Sequence, residues 1–221
     1  MKKILTIASL AFAATHAFAA VSLITSRGSY TATDDLDFNG AELSSVASGH
    51  VYSTTGTPFN VKVSSDSSMM RYDQSSVWGG NFTPGDHLLS TYDLFTGGKG
   101  SYIEFTGTKT CIDVGAQVQT NQFGSFTAMV EAWDGLDNYL GSVTESGVSA
   151  PSGDGSAIFI GVHSSAGDIH KVRFSMLSND GAGFAVNHLS YNCCAPVPEP
   201  ASMSALGLGA LALLRKKSKK A

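Results

Sequence analysis

Residues 126–133 read Phe-Thr-Ala-Met-Val-Glu-Ala-Trp. Phe126, Ala128, Val130 and Ala132 alternate with Thr127, Met129, Glu131 and Trp133. A period of two belongs to a strand that buries one face and turns the other to solvent or to a second sheet. The same rhythm runs from Cys111 to Val118, where Ile112, Val114, Ala116 and Val118 alternate with Cys111, Asp113, Gly115 and Gln117. It returns at Val172, Phe174 and Met176, set between Arg173, Ser175 and Leu177.

Further strands are expected at Val51–Ser53, Phe59–Val63, His87–Tyr92, Ser101–Thr106, Tyr139–Thr144, Ala157–Val162 and Phe184–Tyr191. Turn signals separate them: Thr57-Pro58, Thr83-Pro84-Gly85-Asp86, Gly97-Gly98, Asp134-Gly135, Pro151 to Gly155, and Asn179-Asp180-Gly181. About ten strands, short turns and no amphipathic helix of useful length predict an all-β protein, a β-sandwich of jelly-roll type. The composition agrees: 24 glycines and only 14% charged residues in 221 suit a turn-rich β domain better than a helical bundle.

The two ends read differently from this body. Met1-Lys2-Lys3 is a basic start, Ile4 to Phe12 is apolar, and Ala17-Phe18-Ala19 is a small-x-small cleavage site. Residues 1–19 are therefore expected to be a secretory signal peptide, passed through the Sec translocon and cut by signal peptidase before Ala20. Residues 20–194 form the expected sandwich domain. Residues 195–200 are a linker whose three prolines, Pro196, Pro198 and Pro200, enforce an extended hinge. Residues 201–214 are an apolar segment, expected to form a short transmembrane helix, and residues 215–221 are a basic cytoplasmic tail. Fourteen helical residues span roughly 21 Å, short of a hydrocarbon core of about 30 Å. The segment suits a transient membrane stop better than a permanent anchor.

Setting the two ends aside leaves seven Lys and Arg against 17 Asp and Glu, a body charge of about −10. An acidic body argues against nucleic acid as a partner, because phosphate neutralisation needs clustered Lys and Arg. The three cysteines are Cys111, Cys193 and Cys194. In an oxidising compartment a bridge from Cys111 to Cys193 or to Cys194 is expected, with one thiol left over.

None of the six histidines, His16, His50, His87, His163, His170 and His188, lies in a catalytic motif. His163 and His170 flank a turn and could meet in space. Glu104 and Glu131 lie on expected strands and are the carboxylates to weigh for glycoside hydrolysis. Asp34, Asp35, Asp37 and Asn39 give four oxygen side chains in six residues, a possible structural calcium site with Asn187 as a distant ligand. Sugar binding calls for exposed aromatic rings. The candidates are Trp78, Trp133, Tyr72, Tyr92 and Tyr139; Trp78 and Tyr72 are favoured, Trp78 lying in an expected loop, and Trp133 is expected to pack between sheets.

The C-terminal stretch VPEPASMSALGLGALALLRKKSKKA resembles the PEP-CTERM sorting signal, a segment also labelled an ice-binding-protein C-terminal domain. The hinge Val197, Pro198, Glu199 and Pro200 and the cluster Arg215, Lys216 and Lys217 carry the resemblance. It implies processing by an exosortase near the Pro-Glu-Pro, in a Gram-negative bacterium that makes extracellular polysaccharide. The basic tip would stay on the cytoplasmic side.

The body is more loosely similar to galactose-binding-like and carbohydrate-binding-module jelly rolls. The matching stretches are Asp37-Phe38-Asn39-Gly40, Trp133-Asp134-Gly135 with Leu140-Gly141-Ser142, Phe159 to Val162, and Phe184 to Leu189. That resemblance implies a structural calcium and sugar contact. Asn187 stands where such relatives carry Asp.

The expectation is a secreted, non-enzymatic protein of the cell surface or matrix, structural, adhesive or glycan-binding. The alternative is a secreted carbohydrate-active hydrolase. An ice-binding role would need a regular threonine face, and only Thr106-Gly107-Thr108 suggests one.

Overall fold

A computed structural model describes residues 21–56, 59–92, 100–178 and 183–193. The expected signal peptide at 1–19, Cys194, and the expected hinge, apolar segment and basic tail at 195–221 lie outside the described residues. So do the turns at Thr57-Pro58, Gly97-Gly98 and Asn179-Asp180-Gly181.

Fifteen strands follow one another, with one 3-10 turn at Arg27–Ser29 and no α-helix among the described residues. They are β1 (Ser22–Ile24), β2 (Asp34–Leu36), β3 (Ser44–Val46), β4 (His50–Ser53), β5 (Thr55–Gly56), β6 (Asn60–Ser64), β7 (Met69–Asp73) and β8 (His87–Ser90). The longer ones come second: β9 (Tyr102–Cys111), β10 (Asp113–Thr120), β11 (Gly124–Trp133), β12 (Tyr139–Ser149), β13 (Ile158–His163), β14 (Ile169–Ser178) and β15 (Phe184–Asn192). No helix among the described residues is long and apolar enough to cross a membrane.

The strands form two antiparallel sheets packed as a β-sandwich. One has six strands in the order β12-β11-β14-β9-β6-β4. The other has nine and runs β1-β13-β10-β15-β8-β7-β3, with β2 also pairing β15 and β5 pairing β2. The stretch 126–133 lies as its alternation requires: Phe126, Ala128, Val130 and Ala132 are buried against the facing sheet. Ile103, Phe105, Val172 and Phe174 join them from the six-stranded sheet; Val114, Val118, Ile160, Val186 and Leu189 face them from the other. Phe105 sits at the centre, 5.9 Å from the Phe174 ring and 6.0 Å from that of Phe38.

Sequence reading found the long strands and, of the short ones, β4, β6 and β8; it missed β1, β2, β3, β5 and β7. The expected strand at 111–118 divides at Ile112, so Cys111 ends β9 in one sheet and β10 begins in the other. Strand β7 escaped because alternation marks only strands with one wet face. Met69 and Leu89 enter the main core, while Met70 and Leu88 enter a second core on the opposite face of the nine-stranded sheet. Residues 74–86 form the loop that roofs this second core, and Trp78 and Phe82 fill it.

Cys111 and Cys193 are joined by a disulfide. It ties the end of β9 to the residue after β15, and so one sheet to the other.

Candidate functional site

The outer face of the six-stranded sheet gathers what the inner face leaves over. Trp133 lies opposite Lys171 on β14, and Lys171 opposite Thr106 on β9. One row further, Glu131 lies opposite Arg173, and Arg173 opposite Glu104. Because side chains directly across an antiparallel pair share a face, the register assembles a patch from four strands. The Tyr139 ring lies 5.6 Å from that of Trp133. The Arg173 guanidinium lies 5.1 Å from the Trp133 centroid and 4.4 Å from that of Tyr102, and Lys171 Nζ is 4.8 Å over Trp133. Tyr139, Trp133, Arg173 and Tyr102 thus make one continuous run of planar groups across the sheet.

Lys171 and Arg173 are both paired with carboxylates. Arg173 donates from Nε and one terminal nitrogen to Glu104 Oε2, at 3.1 and 2.7 Å. Lys171 donates to Asp137 Oδ1 at 2.6 Å, and that bond, with the lysine's charge, holds the Asp137 carboxyl below its ordinary value. The β11–β12 turn that presents Tyr139 is fixed by Asp134, whose oxygens accept from Leu136 N, Asn138 N and Asn138 Nδ2. The Asn138 side chain is the main reason the Asp134 carboxyl is held low.

Trp133 therefore needs correction: it lies on the outer face, not between the sheets. The sequence held the signal, since Trp133 shares parity with Thr127, Met129 and Glu131, and Ala132 takes the inner position. Arg173, Lys171 and Tyr102 were missed as partners because only strand register brings them together.

The exposed platform expected at Trp78 and Tyr72 is overturned. Trp78 is 4% exposed and Tyr72 2%, and their rings pack 5.8 Å apart in the second core. Loop position did not mean exposure, because the loop is itself a lid over apolar residues.

The calcium ligand set is divided. Strand alternation sends Asp34 inward, where its Oδ1 accepts from Thr54 Oγ1 at 3.0 Å, while Asp35 accepts from Ser190 Oγ at 2.7 Å on the other face. Asp37 bonds His87 Nδ1 and the amide of Asn39, and Asn187 turns its Nδ2 donor to Asp86 at 2.8 Å. Among the described residues no group of three or more His, Cys, Asp or Glu is placed to hold a metal ion. His163 and His170 do not meet either. His163 bonds Asp113 at 2.7 Å on the nine-stranded sheet, and His170 stands beside Gly135 at the β11–β12 turn. Arg173 stands between Glu104 and Glu131 and holds Glu104 in an ion pair.

A second polar cluster lies where β15 changes partners. Its edge pairs β8 as far as Asn187 and β2 from Leu189, and the pairing with β10 shifts register at the same place. His188 occupies the seam with φ 47°, in the left-handed region that costs a non-glycine residue energy. Its Nε2 is 3.2 Å from Asp35, and Arg27 donates to its carbonyl at 2.7 Å. Burial, and then the Arg27 charge, hold the imidazole below its ordinary value; Asp35, Asp37 and Asp86 pull the other way. A histidine so held takes up its proton more readily when unfolded. Its contribution is present above the ordinary value and is lost as pH falls below it. His188→Asn, uncharged and tolerant of a positive φ, should flatten the loss of melting temperature between about pH 7 and about pH 5. Burial raises Asp86, which acts in the opposite sense at lower pH. An unchanged pH slope in the variant would remove His188 from the account.

No curated protein matches the chain. Residues 196–219 match the PEP-CTERM protein-sorting motif, which marks the chain as one secreted and sorted by an exosortase.

Proposed function

We propose that this is an exosortase-sorted protein of the cell surface or exopolysaccharide matrix of a Gram-negative bacterium. Its body, read as a jelly-roll-type sandwich, has a non-enzymatic structural or adhesive role and contacts glycans. The observation that carries the reading is the sorting motif at 196–219. From β12 to β15 the chain passes back and forth between the two sheets, which supports the jelly-roll reading. The Trp133 face supports glycan contact, since aromatic faces beside fixed polar groups suit sugar rings. A paired Glu104 and an intervening arginine favour a binding surface over an acid–base pair.

Sorting is tested by mass spectrometry of the protein recovered outside the inner membrane. The expected species begins at Ala20 and ends near Pro198 to Pro200, without the Arg-Lys-Lys tip. A surface protein that keeps its whole tail would overturn the sorting reading.

A further inference from the structure

We infer that the Trp133 face recognises an uncharged polysaccharide of hexopyranose units and discriminates against acidic ones. The inference rests on the reading of the body as glycan-contacting and deepens it by naming the ligand class; it does not depend on the sorting tail.

Four planar groups, Tyr139, Trp133, Arg173 and Tyr102, follow one another at 5.6, 5.1 and 4.4 Å. The run is too long for one sugar ring and suits several consecutive ones. Tyr139 is half exposed and the Arg173 side chain one third exposed, so the run is open to a chain lying across the strands. Stacking on such a surface uses the apolar faces of pyranose rings and needs no charge.

Electrostatics then select among polysaccharides. The face carries Lys62, Lys171 and Arg173 against Glu104 and Glu131, with Asp134 and Asp137 on its rim. Arg173 and Lys171 are each engaged with a carboxylate at 2.7 and 2.6 Å, so neither is a free charge for a uronate. What the pairs offer is fixed donors and acceptors for hydroxyl groups. The face is close to neutral within a body of about −10, so most of the negative charge lies around it and repels a polyanion.

The test is retardation of the full chain in native gels cast with soluble polysaccharides: neutral glucan, mannan and galactan in one set, and a polyuronate in the other. At least one neutral polymer is expected to retard the protein, equally at low and high salt, because stacking and neutral hydrogen bonds are little screened. Trp133→Ala should weaken retardation at least about tenfold, as loss of a central ring in a binding surface does. Tyr139→Ala, at a half-exposed position with less risk to folding, should weaken it less, with both variants melting near the parent.

The inference fails if the polyuronate retards the protein as strongly as the best neutral polymer, or if retardation vanishes with salt. It also fails, with glycan contact through another surface left standing, if neither variant weakens retardation. Retardation by no polymer at all would sink the glycan-contact reading together with the inference.

Discussion

Replacing Cys111 and Cys193 together with alanine is expected to remove about 4 kcal/mol of stability. The bond closes a loop spanning 82 residues of sequence, and the chain-entropy gain grows with the length closed. Its position adds to the argument. Cys111 ends a strand of the six-stranded sheet and Cys193 follows a central strand of the nine-stranded one. The cross-link therefore ties the two sheets at one end of the sandwich, where the facing layers would otherwise be free to part. Urea unfolding of parent and double variant, followed by fluorescence of the two tryptophans, measures the difference. A loss below about 1 kcal/mol would mean that strain in the native bond or compactness of the unfolded chain cancels the entropic gain. The parent under reductant should approach the variant; a parent that keeps its full stability there has a bond that reductant does not reach.

Phe105→Ala is expected to cost about 3–5 kcal/mol, the range for deleting a buried aromatic ring. Phe105 is 1% exposed and touches the rings of Phe38 and Phe174. Phe38 lies between β2 and β3, and Phe174 lies on β14, which pairs with β9, so collapse around the cavity would have to move both. A single domain of this size has about 10 kcal/mol to lose, so the variant should fold but melt far below the parent. Phe123→Ala is the control: at 54% exposure it should change stability by no more than about 0.5 kcal/mol. Similar losses for the two substitutions would refute the assignment of Phe105 to the centre of the core.

These expectations differ in how far the sequence foretold them. Phe105 lay in an expected strand and was readable as apolar, but nothing local marked it as central. Its rank comes from rings contributed by residues 38 and 174, far apart in sequence. The cysteine pairing was half legible. Composition and the expected secretory signal asked for a bridge from Cys111, and the choice of Cys193 belongs to the end geometry of β9 and β15.

Trp78 shows the opposite failure. Its glycine-rich surroundings read correctly as a loop, and the inference from loop to solvent was wrong, because the outer face of β7 and β8 carries apolar Met70, Tyr72 and Leu88 that need a cover. The acidic run from Asp34 to Asn39 failed for a related reason. It was read as four oxygen side chains gathered within six residues, and three of its residues form β2, whose alternation sends adjacent carboxylates to opposite faces.

By itself the sequence determined the all-β class, the long strands and their buried sides, and the sorting motif at the C-terminus. Each is written in local periodicity or in a contiguous motif, and short-range physics reads it. Only the tertiary structure decided which strands lie side by side. Register is set by the burial of whole faces, and it alone placed Trp133 beside Lys171, Arg173 and Tyr102, and His188 at the seam between β8 and β2. Such neighbourhoods join residues tens of positions apart, and no pattern within one strand records its partner.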